Sequence, residues 1–272
     1  MPCVTLRAAD GATADVQHDG AHVTSWRAAG DPAERLYLSE RSGRGEGVSI
    51  RGGVPVIFPQ FAAEGPLPRH GFARTTRWSL VGVSEDQGEA IATLALEDSP
   101  ATRAIWPAAF RATLTVRVGG PRLAIALDVE NTGRSPLSFT AALHSYLRVR
   151  ALADVALRGL EGCSFRDSGR AGGVQVEHAD ALRPRGEVDR VYLGVAGPLE
   201  LREPGRSLTI EATGFPDVVV WNPGPTRAAA LADLTPDGER RFLCVEAAAV
   251  QRPVVLAPGA HWLGAQHLTV VE

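Results

Sequence analysis

Apolar and polar residues alternate along this chain in short runs, each interrupted by glycine, proline, aspartate or asparagine. WSLVGVSE (Trp78–Glu85) and AIATLALED (Ala90–Asp98) flank DQGE, and RATLTVRV (Arg111–Val118) and RLAIALDVEN (Arg122–Asn131) flank GGP. LELRE (Leu199–Glu203) and SLTIEAT (Ser207–Thr213) flank PGR in the same way. A period of two sends successive side chains to opposite faces of a strand, and a short turn between two such runs predicts an antiparallel hairpin. DVVVWNP, RFLCVEAAAV and HLTVVE predict further strands. Helical periodicity is nearly absent; ATRAIWP (Ala101–Pro107) predicts one turn that Pro107 ends. No repeat, low-complexity stretch or linker divides the chain. The pattern predicts an all-β protein, one large antiparallel β-domain over residues 1–272 with a sandwich or barrel-like architecture. Its functional residues are expected on a concave face or in the loops.

Composition narrows the function classes. At 272 residues with 44% apolar content, the chain can bury a proper core. A net charge of only −3 gives no global field toward nucleic acid or an acidic membrane, so an anionic ligand needs a local arginine cluster. All 28 basic residues are arginine, which excludes a lysine Schiff base and a P-loop lysine. Cys3, Cys163 and Cys244 are odd in number and widely separated, which predicts neither a disulfide framework nor a thiolate zinc site. His18 and His22 have the spacing of helical metal ligands, but QHDGAH contains Gly20 and predicts a turn, so no metal is expected. There is no G-x-S-x-G elbow, Walker loop or dinucleotide fingerprint, and no cofactor is expected. MPCVTLRAAD lacks the two regions of a secretory signal, and no apolar run approaches the ~18 residues of a membrane helix; a cytoplasmic protein is the expectation.

Candidate chemistry lies in three places. In SFTAALHSYLRVR (Ser138–Arg150), a period of two puts Phe139, Ala141, Leu143, Leu147 and Val149 on one face and Thr140, Ala142, His144, Tyr146 and Arg148 on the other. His144 on that more polar face is either a structural histidine or one that lines a cleft. RFLCVEAAAV (Arg241–Val250) is apolar from Phe242 onward except for Glu246, as in a strand covered on both faces. A carboxylate there is costly unless something pairs with it or uses it. An ion pair with an arginine and a base with a raised pKa both fit. RGGVPVIFPQF (Arg51–Phe61) and RHGFAR (Arg69–Arg74) set Arg51, His70 and Arg74 on glycine-flanked backbone, as an anion site or as plain surface charge. Asp189 beside Arg190, and Trp221 with Asn222 at a strand end, are weaker candidates; a strand-end aromatic can stack on a sugar ring.

Taken in order, IRGGVPVIFPQF, RHGFAR, FTAALHSYLRV, DRVYLG, VVVWNP and FLCVEAAAV resemble the hexose-6-phosphate mutarotase branch of the aldose 1-epimerase family, with GAHVTSW and the closing PVVLAPG as weaker echoes. The resemblance runs through essentially the whole chain. It implies a galactose-mutarotase-like β-sandwich (a supersandwich) with an open cleft, and interconversion of sugar anomers without metal or nucleotide. It implies His144 as general acid, Glu246 as general base and Asp189 as a ligand of sugar hydroxyls. It further implies Arg51 and Arg74 as phosphate-binding arginines, with His70 alongside and Gln60 and Phe61 in adjoining cleft positions. The implied partner is a small sugar phosphate, with no nucleic acid and no membrane, and the protein a monomer. Two departures bear on sugar preference: Gly224 follows Trp221-Asn222-Pro223 where many relatives carry a second tryptophan, and ERSGRGEGVS before Arg51 lacks an aromatic. A mutarotase for unphosphorylated aldoses and a non-catalytic carbohydrate-binding module are the alternatives.

Overall fold

The computed structural model describes residues 2–43, 45, 47–168 and 173–271. Strands dominate, in antiparallel sheets of three, eight and nine strands. The predicted hairpins are there. Ser79–Asp86 pairs with Glu89–Glu97, closing with Asp86 opposite Glu89. The two turn residues, Gln87 and Gly88, have φ of 51° and 86°, the left-handed pair that a tight hairpin turn requires. Phe110–Gly119 pairs with Arg122–Asn131, and Leu199–Glu203 with Arg206–Thr213. These hairpins lie in the nine-stranded sheet, which His261–Val271 joins together between Arg206–Thr213 and Arg122–Asn131. The expected single turn is a short helix, Pro100–Ile105, started by a reciprocal Ser99–Thr102 capping box.

The eight-stranded sheet carries the candidate chemistry. Its central strand, Phe242–Leu256, lies between Asp217–Asn222 and Leu137–Leu143, with Val188–Leu193 beyond the former. Residues of Phe242–Val250 are all buried, as expected for a strand covered on both faces. Alternation sorts them: Leu243, Val245 and Ala247 enter the main core, which also takes Leu114, Ile125, Leu127 and Ile210 from the nine-stranded sheet. The two large sheets therefore pack face to face, with apolar burial holding them together. The other face keeps Phe242, Cys244, Glu246 and Ala248; Phe242 and Cys244 pack into a smaller cluster with Tyr146 and Tyr37, and Ala248 into another with Val219, Val191 and Phe61.

The three-stranded sheet, Cys3–Arg7, Thr13–Gln17 and His22–Arg27, was not expected from the pattern. Gly11 and Gly20 interrupt its alternation, and the register between its second and third strands shifts at Asp15/Val16. Ser138–Arg150 differs too: it is not one strand. Leu137–Leu143 stops, His144 and Ser145 break the ladder, and Tyr146–Arg148 resumes against Phe242–Leu256. The register is the same on both sides of the break, with Leu143 opposite Ala247 and Tyr146 opposite Cys244. The predicted face assignment survives for that reason. Among the described residues, no helix is long and apolar enough to cross a membrane.

Candidate active site

A cleft of about 590 Å³ opens on the outer face of the eight-stranded sheet. Arg51, His70, Arg74, His144, Asp189 and Glu246 line it, together with Phe61 and Trp221, so six of the seven residues read from the sequence as catalytic or substrate-binding meet in one place. The seventh, Gln60, does not. Its buried amide donates to Leu67 O at 3.0 Å and accepts from Leu67 N at 2.9 Å, and a Cβ on Gly65 would strike it. Gln60 ties the 60–70 loop to itself, and the structure places it beside the cleft and not among the residues that line it.

Strand register explains the centre of the cleft. Continuing the Leu143–Ala247 and Tyr146–Cys244 pairs across the break places His144 opposite Glu246. Their side chains meet, with Nε2 3.3 Å from Oε1. Because His144 leaves the ladder, its amide bonds to Pro55 O instead, at 3.0 Å. Behind the break, Ser145 Oγ donates to Gln266 Oε1 on the opposite sheet, and Gln266 Nε2 donates to Val245 O at 3.0 Å. One buried glutamine therefore grips the neighbours of both His144 and Glu246. On the cleft side, Tyr146 stacks on His144 at 4.8 Å and Trp221 presents an edge at 5.9 Å.

Burial drives the electrostatics of the pair. It holds the His144 imidazole well below its ordinary pKa, helped by His70, Arg74 and Arg51, and pushes the Glu246 carboxyl well above its own, helped by Asp189. Both shifts disfavour charge in a low-dielectric site. His144 Nδ1 and Glu246 Oε2 are buried without a hydrogen-bond partner among the described residues. Asp189, one strand beyond Trp221 in the register, is also raised, by burial first, while Arg227 at 3.5 Å opposes the shift.

The arginines differ from one another. Arg51 is engaged: Nε donates to Asp233 Oδ2 at 3.2 Å, Nη2 to Asp233 Oδ1 at 3.3 Å, and Nη1 to Tyr146 OH at 3.1 Å. Burial works against its charge, but Tyr146 and Asp233 outweigh that and hold its pKa above the ordinary value. Among the described residues Arg74 has one side-chain bond, from Nη2 to Arg69 O at 3.3 Å, and its Nε is buried without a partner; burial lowers its pKa. His70 takes φ of 66°, accepts from Ala62 N at Nδ1 (3.3 Å), and is pushed down to about 3 by burial and by Arg74, Arg69 and Arg51. A neutral His70 whose Nδ1 accepts carries its proton on Nε2, which makes it a donor. Beside it, Gly71 has φ of 66°, and a Cβ there would sit 2.2 Å from Phe58 O, so only glycine fits.

The Aldose 1-epimerase family profile matches residues 2–269. The chain belongs to the aldose 1-epimerase family. It is accordingly an isomerase of the epimerase or mutarotase class. A protein from Cenchrus ciliaris with the provisional name glucose-6-phosphate 1-epimerase is 34% identical over 98% of this chain and 84% of its own. One from Salmonella typhimurium with the same provisional name is 35% identical over 84% of this chain and 76% of its own. The crystal structure of a provisionally named mutarotase from Salmonella typhimurium superposes with a TM-score of 0.88 at 32% identity, covering 96% of this chain and 88% of that one. A galactose mutarotase-like protein from Clostridium acetobutylicum, 13% identical, shares the fold with a TM-score of 0.79, covering 99% of this chain and 95% of that one.

Several residues of this aldose 1-epimerase family cleft were not singled out in the sequence. Tyr146, Arg69, Arg227, Leu231 and Asp233 all line it. His22, set aside as a turn residue, is buried and bonds through Nε2 to Gly52 O at 2.7 Å; burial pushes it down to about 4, so it donates as a neutral ring and steadies the loop that carries Arg51. Gly224, where the resemblance implied a second tryptophan, is not an open gap: φ is 61°, and a Cβ would come 2.5 Å from Glu187 N. This backbone has no room for a tryptophan there, and Leu231 and Arg227 line the cleft.

Proposed function

We propose that this protein interconverts the α and β anomers of a hexose 6-phosphate, glucose 6-phosphate foremost, with His144 as general acid and Glu246 as general base. The observation that carries the proposal is the 3.3 Å approach of Nε2 to Oε1 inside a cleft lined with arginines. Ring opening takes a proton from the anomeric hydroxyl O1 and gives one to the ring oxygen O5. Both oxygens are attached to C1, so a donor and an acceptor standing side by side serve them.

Proton bookkeeping then follows. In the reactive form Glu246 is a carboxylate and His144 an imidazolium. Glu246 takes the O1 proton as His144 protonates O5, the C1–O5 bond breaks, and C1=O1 forms. The pair is left as a carboxylic acid and a neutral imidazole, with one proton between them throughout. Burial favours that uncharged form, so the site stabilises the state reached when the ring is open. Rotation about C1–C2 and closure with the roles reversed gives the other anomer and restores the pair. Each proton transfer of this kind contributes roughly 10²–10⁴-fold.

Asp189 would accept from sugar hydroxyls, and Trp221 would cover an apolar face of the ring. Arg74, with its unpartnered Nε, and the Nε2–H of His70 would receive the phosphate. The names of the relatives from Cenchrus ciliaris and Salmonella typhimurium support a glucose 6-phosphate substrate. Anomer exchange followed by NMR on glucose 6-phosphate and on free glucose tests the proposal. The expected result is faster exchange of the phosphorylated sugar at equal enzyme; equal or slower exchange would favour an enzyme of unphosphorylated aldoses.

A further inference from the structure

The cleft holds a carboxylate where its arginines would meet an anion from outside. Asp233 lies in the segment between the short helix Gly224–Ala228 and the turn Gly238–Arg241, and its side chain lines the cleft. It occupies Arg51 through both Nε and Nη2, with a shortest contact of 3.0 Å, while about a third of its own side chain (34%) stays open to solvent. Its charge also reaches Arg74. Arg51 is less exposed, at 22%, and a guanidinium in that position without a counter-charge would destabilise the empty cleft.

We propose that Asp233 competes with the substrate's anionic group for Arg51 and so sets the threshold of charge that a ligand must bring. The proposal rests on the hexose-phosphate reading. Arg74, Arg69 and His70 line the same cleft, and none of them has a carboxylate within ion-pair distance among the described residues, so a phosphate can engage them without displacing one. To gain Arg51 as well it must displace a singly charged carboxylate, against that carboxylate's repulsion. A dianion can offset that cost better than a monoanion, whereas a neutral hexose does not call on Arg51 and is not subject to it. Asp233 thereby acts as a specificity-determining residue and not as a brace. A brace would hold the Arg51 fork toward the ligand, and its loss would weaken anion binding. A competitor has the opposite sign.

Asp233→Asn keeps the shape and removes the charge. Inorganic phosphate binding to the wild type and the variant, measured by isothermal titration calorimetry, should tighten by roughly three- to fivefold in the variant, the size of a partly exposed ion pair. The ratio of kcat/KM for glucose 6-phosphate over glucose should rise by a similar factor. Asp233→Ala should shift both quantities in the same direction, and circular dichroism confirms that both variants are folded. Unchanged or weaker phosphate binding in the folded variants, or no measurable phosphate binding to any of the three proteins, would overturn the proposal. A wild type that handles both sugars equally would instead sink the hexose-phosphate reading, and the phosphate titration would still judge Asp233 by itself.

Discussion

Two side chains and one shared proton set the behaviour expected at the residue scale. If the pair is active only with one proton between Nε2 and Oε1, kcat should pass through a bell-shaped pH profile belonging to the pair. On the acid side activity falls when the pair gains a second proton; because His144 is held well below its ordinary value, that limb should lie below the usual imidazole range. On the basic side activity falls when the pair loses its proton; because Glu246 is raised, that limb should lie above the usual carboxylate range. Measuring kcat under saturation, and not kcat/KM, avoids the substrate phosphate, which itself titrates near ~6. A flat profile from the carboxylate range through neutrality and beyond would contradict the shared proton. Arg74 gives a second expectation. A hydrogen bond to a charged partner contributes about 1.5–3 kcal/mol, so Arg74→Ala should lower kcat/KM for glucose 6-phosphate by roughly one to two decades, chiefly through KM. The loss for free glucose should be much smaller; equal losses on both sugars would show that Arg74 holds its loop and not the substrate. The lining of the cleft was legible in part. His144, Glu246, Asp189, His70 and the two arginines stand in ordered motifs, whereas Asp233 sits in a polar loop and gains meaning only through contact with Arg51, 182 positions away.

Among elements, the break at His144–Ser145 does the positioning. Alternation along Ser138–Arg150 predicted which side chains share a face, because the register survives the break; it could not predict the break, which depends on Pro55 O and Gln266 arriving from distant segments. Gln60 illustrates the converse. Its place beside Phe61 resembled a cleft position, but a loop closing on itself captured the amide, and no local pattern signals that. The hairpins were legible to within a residue or so because alternation and turn chemistry are both local, as at Gln87–Gly88. Gln266 supports an element-scale prediction. Gln266→Leu should strand Ser145 Oγ and Val245 O in the core and cost about 1–3 kcal/mol of stability, read as a lower Tm. It should also reduce kcat, since the strand segments bearing His144 and Glu246 lose their common tie. A variant with unchanged Tm and unchanged kcat would show that the tie is dispensable.

For the whole molecule, an antiparallel sandwich turns one outer face of its eight-stranded sheet into a cleft, and the arginines gather there despite a net charge of −3. The sandwich class was legible from the even spacing of short strands. The three-stranded sheet near the start was not, since glycines and a register shift blur its alternation. Among the described residues no group of three or more His, Cys, Asp or Glu side chains is placed to hold a metal ion, and the proton bookkeeping needs none. Extensive chelation and dialysis should therefore leave the exchange rate unchanged; a loss restored by one divalent ion would contradict that expectation. The acid–base pair itself is tested most directly by two-dimensional NMR exchange between the α and β anomers of glucose 6-phosphate, comparing wild type, His144→Asn and Glu246→Gln at equal concentration. The account predicts cross-peaks built up rapidly by the wild type and a fall of at least roughly 10²-fold in rate for each near-isosteric, folded variant. Near-normal exchange by either folded variant would contradict the assignment of its residue to the proton transfer.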